Sequence, residues 1–367
     1  MNYIVEYPGS AVLYFAVFLL SIVCATAAST KQKSRGLYNP WLIFLILLLS
    51  IFAGMRSDHV GVDVAHYIVR YIEPIQAGRF FEIHDMSVGF KALVWLFYLI
   101  TDNAHIVLLM IALLTNALIV LRLWDFRKKS SFSLMIAWYY CVYYLVTFNI
   151  FRQFIAVAIV FYSTRFLEEK RYRSFIVGVI VATTIHNVSI LGFIYLTVYI
   201  LLSSETHKER KLRRYLMISS PILILIVAVL LYRFYDFDHY LNLLNRATNR
   251  GTDGISFPVK IILGIILYRT VKKNMHKTNI NEIQLREFGA IYFIGLLIGL
   301  LSYISFEAER FTFYFMMYEM PYVSFRYRRS GKLQLIRYIY IAFMIYTMYS
   351  KLSGGGSQIM PYTFYWQ

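Results

Sequence analysis

The sequence predicts an all-α fold, a polytopic integral membrane bundle of about 11–13 helices. Three observations carry that expectation. Of the 367 residues, 59% are hydrophobic and only 16% charged, against roughly 45–50% and about 25% in a soluble domain. Long apolar runs recur along the chain, among them residues 11–29, 41–55, 106–120, 257–268 and 291–304. The Lys and Arg residues gather in short clusters beside these runs. In lipid only a helix satisfies its own backbone within such a run. The formal charge of +17 therefore describes loops that set topology, and it forms no continuous face for nucleic acid.

Taken in order, the run at 11–29 precedes the first basic residue, Lys31. It lacks the positive leader of a cleaved signal and is expected to be a retained helix. Basic clusters follow at residues 31–35, 127–129, 170–173, 208–214, 272–277 and 326–332, and the positive-inside rule assigns them to the cytoplasm. The stretches between them, residues 56–85, 149–152, the region of His186, 233–253 and 307–310, are acidic, mixed or nearly uncharged. They are expected outside, which gives about twelve crossings with both ends of the chain outside. Residues 86–101 are apolar enough to insert, yet a full crossing there would invert every later basic cluster. An interfacial or partly inserted helix is expected. The runs flanking Asn149 and His186 are short for the roughly 20 residues a crossing needs. Each pair is either two short helices or one long broken one.

Residues 1–367 show no fixed-period repeat and no domain linker, so one polytopic domain is expected. The Ser-Gly-Gly-Gly-Ser at 353–357 resembles a flexible linker, but Met360-Pro361-Tyr362 follows it as native tail. Cys24 and Cys141 fall inside apolar runs and are expected to be small buried hydrophobes. Many of the 32 Tyr lie near run ends, where amphipathic rings suit the headgroup layer.

Ionisable residues at membrane depth are the candidates for function. Arg56 closes an apolar run, where it either faces a polar cavity or snorkels to the headgroups. Gly61 permits a turn, Asp63 follows it, and Tyr67 lies one helical turn beyond. His59, Asp63 and His66 have metal-competent spacing, but Gly61 argues against a regular helix there, and no metal is expected. Arg152 stands between two apolar runs without a nearby acid. It needs an anion, supplied by a bound phosphate or by a distant carboxylate such as Glu307 or Glu309. His186 sits inside an apolar stretch, either as a packed neutral imidazole or as a proton-transfer or phosphate-contacting group. Arg310 and Tyr314 share a helix face at i and i+4. Asp236-Phe-Asp238 has the form of a metal-dependent transferase motif, but paired acids in a loop are common. Loop charge alone puts Arg56, Asp63, Arg152, His186 and Arg310 on the outer side. Several guanidinium groups and two candidate bases there suit an extracytoplasmic catalytic cavity for a lipid-linked, phosphate-bearing substrate.

Arg56 with Gly61, Asp63 and Tyr67, then Asn149, Arg152 and Gln153, then His186 with Ser189, then Arg310 with Tyr314 and Pro321, and finally Met360-Pro361-Tyr362 occur in an ordered series. In order and spacing this series resembles the EpsG-like branch of the Wzy polysaccharide polymerases. The resemblance covers nearly the whole chain, although each motif alone is short. It implies a multi-pass enzyme of the bacterial cytoplasmic (inner) membrane, with its active site facing the periplasm or exterior. Such an enzyme joins undecaprenyl-diphosphate-linked oligosaccharide donor and acceptor into O-antigen, capsule or exopolysaccharide. It implies no cofactor, contact with membrane lipids, and a chain-length regulator and a flippase as partners. Asp63 or His186 is then the catalytic base, Asp63 being preferred. Arg56, Arg152, Arg310, Tyr67, Asn149, Gln153 and Tyr314 contact diphosphate or sugar. A ligase for finished polymer, or a flippase or transporter of the lipid-linked oligosaccharide, are the competing readings.

Overall fold

The computed structural model describes residues 2–30, 39–203, 256–303, 306–327, 331–354 and 358–367. Among these the chain is helical, with isolated bridges and no strand. The basic clusters at 31–35 and 208–214, the stretch 233–253 with Asp236 and Asp238, and parts of 326–332 and 353–357 lie outside the described residues. The helices used below are α1 (Pro8–Thr30), α2 (Pro40–Gly54), α3 (Val88–Tyr98), α4 (Ala104–Asp125), α5 (Phe132–Trp138), α6 (Phe151–Glu168) and α7 (Tyr172–Ile185). They continue with α8 (Phe193–Ser203), α9 (Ser256–Lys273), α10 (Glu282–Leu300), α11 (Phe306–Met316), α12 (Glu319–Val323) and α13 (Gly331–Ser353). The fold is the all-α membrane bundle that composition predicts. Among the described residues three helices are long and apolar enough to cross a membrane, Pro8–Thr30, Ala104–Lys128 and Glu282–Leu300. Shorter apolar helices include Pro40–Gly54, Val88–Tyr98 and Tyr172–Ile185.

The chain divides into two compact units. The first comprises Met1–Ile190, Val323–Arg326 and Arg337–Gln367. In it α1 packs on α2 and α5, α2 on α4, and α6 on both α4 and α7. Pro40 starts α2, where its missing N–H costs nothing, and the Asn39 side chain caps the next turn through the Trp41 N–H at 3.1 Å. Where α2 meets α4 the backbones nearly touch, since a Cβ on Gly54 would lie 2.3 Å from the Leu109 Cα. Small residues permit such close approach in lipid. A buried polar chain runs from the Tyr139 hydroxyl to Asn116 Oδ1 at 2.8 Å and from Asn116 Nδ2 to Ser50 Oγ at 3.4 Å.

Charge separates along this unit. At the α4–α6 end, Arg122 is fully buried and pairs with Glu168, with Thr164 Oγ1 at 2.9 Å and with Asp125 at 3.4 Å. The basic stretches at 127–129 and 170–173 lie at this end, where Lys129 reaches Glu168 at 3.4 Å. The 56–67 connection and residues 149–152 lie at the opposite end of α4 and α6.

Residues 86–101 contain only the eleven residues of α3, about 16 Å at the usual rise per residue. A hydrocarbon core is about 30 Å thick, so α3 cannot cross alone. It exposes Trp95 and Leu96, followed by the exposed Leu99 and Ile100, and buries Phe90, Val94 and Lys91. The Lys91 amine reaches back to the Ile83 carbonyl at 2.8 Å and the Phe80 carbonyl at 3.3 Å. The stretch ahead of α6 is also broken. After α5 the backbone widens to a π turn over Tyr139–Tyr143, tightens to a 3₁₀ turn over Tyr144–Phe148, and leaves helical form before α6. α7 ends at His186 in extended conformation (φ −147°, ψ 114°). Both flanking pairs of apolar runs are thus separate helical segments joined at a polar residue. Irregular backbone at such depth is tolerated only where protein or a wet cavity covers it.

The second unit comprises Leu191–Tyr322 and Tyr327–Ile336. α10 packs on α8, α9 and α11. Tyr322 stacks on Tyr292 at 4.9 Å, and its hydroxyl donates to the Gly264 carbonyl at 2.9 Å. Lys260 of α9 and the fully buried Glu319 of α12 form an internal ion pair at 3.1 Å.

Candidate functional site

The connection after α2 owes its shape to Gly61. Its φ of +107° suits glycine alone, and a Cβ there would sit 2.6 Å from the Phe148 carbonyl oxygen. The next N–H, of Val62, donates to Asn149 Oδ1 at 2.8 Å. This closes the connection onto the break between the Tyr144–Phe148 turn and α6. Gly61→Ala should cost about 2 kcal/mol or more, seen as a lowered unfolding temperature of the purified protein with reduced polymer synthesis. Wild-type values for both would remove the constraint.

Asp63 follows at the start of the short turn Val64–Tyr67. It is half-buried, and its carboxylate makes no hydrogen bond or ion pair with a described residue. One turn on, the Tyr67 ring packs edge-on against Phe151 at 4.7 Å, and the Arg152 guanidinium lies over that ring at 5.8 Å. Asn149, Phe151 and Arg152 are thus brought beside the Asp63 connection. Gln153 is 3% exposed, inside the bundle. Arg152 is half-buried and contacts Met86 Sδ at 2.8 Å. Among the described residues it has neither a carboxylate nor a carbonyl partner.

His186 arrives at the same end by a different route. Gly178 faces Ser163 across the α6–α7 hairpin, a register that places the last turn of α7 level with the second turn of α6. Ser87, adjacent to the Met86 that touches Arg152, donates its hydroxyl to the Ile185 carbonyl. Asp63, Tyr67, Asn149, Arg152 and His186 therefore gather at one end of the first unit. Arg310 and Tyr314 belong to α11 of the second unit, where Arg310 is exposed. Tyr314 is 1% exposed, and its backbone carbonyl accepts a bond from the Tyr195 hydroxyl.

Arg56 is turned into the protein. It is 2% exposed, and its guanidinium donates to the Val60 carbonyl at 3.1 Å, to the Phe148 carbonyl at 2.9 Å and to the Ala53 carbonyl. Ala53 and Phe148 belong to helix ends, whose last carbonyls lack partners within the helix. A cation suits such ends, so Arg56 caps two of them at once. Burial lowers its pKa to about 10, which leaves it charged at neutral pH. Two carbonyl-rich helix ends thus hold the guanidinium.

Sequence reasoning also missed what holds the connection from above. Residues 358–365 form a strap across it. The Gly61 N–H donates to the Gln358 carbonyl at 2.8 Å, the Ser57 N–H to the Thr363 carbonyl at 2.9 Å, and the Tyr365 N–H to the Met55 carbonyl at 3.0 Å. The Tyr362 ring stacks on Phe52 at 4.4 Å, and its hydroxyl donates to the Phe52 carbonyl at 2.8 Å. The Tyr14 hydroxyl donates to the Ile359 carbonyl at 2.6 Å. The Met360-Pro361-Tyr362 triplet was the available signal.

Among the described residues no three His, Cys, Asp or Glu side chains form a group able to hold a metal ion. His59, the first of the spaced trio, is exposed and sits 3.5 Å from Asp58.

A family model described as the EpsG family matches residues 39–364. The chain belongs to the EpsG family. That match spans every site residue above, from Arg56 to Tyr314, and ends inside the strap. No curated protein and no solved structure matches the chain. EpsG proteins are polysaccharide polymerases of the Wzy-like kind, which gives this membrane bundle a role in polysaccharide polymerisation.

Proposed function

We propose that this EpsG-family chain joins undecaprenyl-diphosphate-linked oligosaccharide repeats into a surface polysaccharide, O-antigen, capsule or exopolysaccharide, at the extracytoplasmic face of the bacterial cytoplasmic membrane. The growing chain leaves its carrier and is attached to the non-reducing end of the incoming repeat. A flippase that delivers repeats and a chain-length regulator are its partners in this scheme.

The observation that carries the proposal is Arg152. A half-buried guanidinium at membrane depth is costly without an anion, and among the described residues Arg152 has none. A prenyl diphosphate would supply it, matched to the planar fork of the side chain. The leaving diphosphate needs charge stabilisation more than protonation, and Arg152 meets that need. The attacking sugar hydroxyl must lose a proton, and Asp63, one helical turn from the Tyr67 under Arg152, is the preferred base, with His186 the second candidate. Arg56 shapes the Asp63 connection and does not itself meet the phosphate. Asn149 acts likewise through Val62, while Tyr67 supports Arg152.

Deletion of the gene, examined by surface-polysaccharide gel, tests the proposal. Accumulation of single carrier-linked repeats supports polymerase action. Accumulation of long carrier-linked polymer would assign the chain to a ligase instead, and an unchanged surface ladder would end the proposal.

A further inference from the structure

We infer that Phe364, Tyr365 and Trp366 form a saccharide-stacking subsite beside the Asp63 connection, taking an oligosaccharide segment as its ligand. The inference rests on the polymerase reading above and adds to it a place where glycan is held.

Trp366 stacks on Phe364 with ring centroids 4.6 Å apart and planes 12° from parallel, and it meets Tyr365 edge-on at 5.0 Å. The rings beneath are themselves supported. Tyr362 meets Phe364 edge-on at 5.2 Å, and Tyr365 lies flat on His105 at 4.6 Å. The backbone is pinned as well. The Gln367 N–H donates to the Phe364 carbonyl at 3.1 Å, the Phe364 N–H donates to Gln367 Oε1 at 2.9 Å, and Tyr365 is bonded to Met55. Yet Trp366 remains 61% exposed. A large ring held rigidly by others, with a surface left open, is organised before any ligand arrives.

The chemistry of the surroundings selects the ligand. A pyranose presents apolar C–H groups on its faces and hydroxyls around its rim, so it wants a flat aromatic surface bordered by polar side chains. Phe364 pairs with Arg56 in an antiparallel bridge, and the residues just past that bridge are Ser57, Asp58 and His59. The Asp58 and His59 side chains are 46% and 88% exposed, and Gln367 is exposed. Trp95, by contrast, is flanked by the exposed Leu96 and Leu99 at the end of α3. The platform is also continuous with the candidate site, because the strap that carries it is bonded to Ser57 and Gly61.

The test uses full-length protein in lipid nanodiscs and carrier-free oligosaccharides made by partial hydrolysis of the producing strain's own polysaccharide. Trp366→Ala should weaken their binding about five- to tenfold, the range that one ring contact supports. Trp366→Phe should recover part of the loss, and Trp95→Ala should bind as the wild type does. The Trp366-dependent emission, taken by difference from Trp366→Phe, should be quenched by acrylamide and protected by the oligosaccharide. Equal binding by wild type and Trp366→Ala, no binding by the wild type, or quenching by brominated lipid alone would each overturn the subsite. If the wild type also makes no polymer from lipid-linked repeats, the polymerase reading fails with it. If it does make polymer, only the platform is lost.

Discussion

Arg152→Ala is expected to lower polymer formation by about 10²–10³-fold, the usual cost of removing one preorganised group that stabilises developing charge. The protein itself should survive the change. Breaking a buried ion pair is strongly destabilising because it strands a charge, but Arg152 has no carboxylate among the described residues to leave behind. Its contact with the Tyr67 ring at 5.8 Å is worth about 0.5–1 kcal/mol, too little to unfold a bundle. Membrane levels and unfolding temperature should therefore stay near wild type while polymer disappears. Arg152→Lys keeps the charge but loses the bidentate fork and should fall between the two. The measurement is the rate of chain extension from lipid-linked repeats in proteoliposomes, supported by gels of cell-surface polysaccharide. A full ladder from Arg152→Ala at matched protein levels would remove this residue from catalysis.

Asp63→Asn should be comparably severe, since a positioned general base contributes about 10²–10⁴-fold. The substitution is nearly isosteric, and the Asp63 carboxylate makes no bond to a described residue, so little folding energy depends on its charge. The comparison with His186 decides between the two candidate bases. Loss of activity in Asp63→Asn, with substantial activity left in His186→Gln, assigns proton removal to Asp63. The reverse pattern transfers the role to His186, and normal rates in both would show that neither side chain is the base.

Much of the membrane layout was legible because it depends on local composition. Basic clusters at 127–129 and 170–173 share one end of the first unit, opposite the 56–67 connection, as alternating loop charge predicts. The short runs around Asn149 and His186 foretold helix breaks, since neither flanking stretch had the length to cross comfortably. Arg152 stood out because no acid lay near it in the sequence. The direction taken by Arg56 was not legible. A guanidinium at the end of an apolar run looks the same whether it turns toward a ligand or back onto helix carbonyls, and its partner Phe148 lies far along the chain. The strap was hidden for a related reason. Tyr362 meets Phe52 and Gln358 meets Gly61 across most of the sequence, and contacts of that separation leave no periodic pattern. Pro361 and Tyr362 marked the place without giving its partner.

The strap has a consequence for biogenesis. A nascent chain that has reached only Ser353 has already emitted the last of the described helices, yet the segment that fastens Met55, Ser57 and Gly61 is still to come. The Asp63 connection thus acquires its final shape only after residues 358–365 have been synthesised. A stop codon placed after Ser353 should yield a product that inserts and accumulates but does not polymerise, and full activity from it would show that the fastening is dispensable. Completion of the Asp63 connection is in this way tied to the last stretch of the chain to be made.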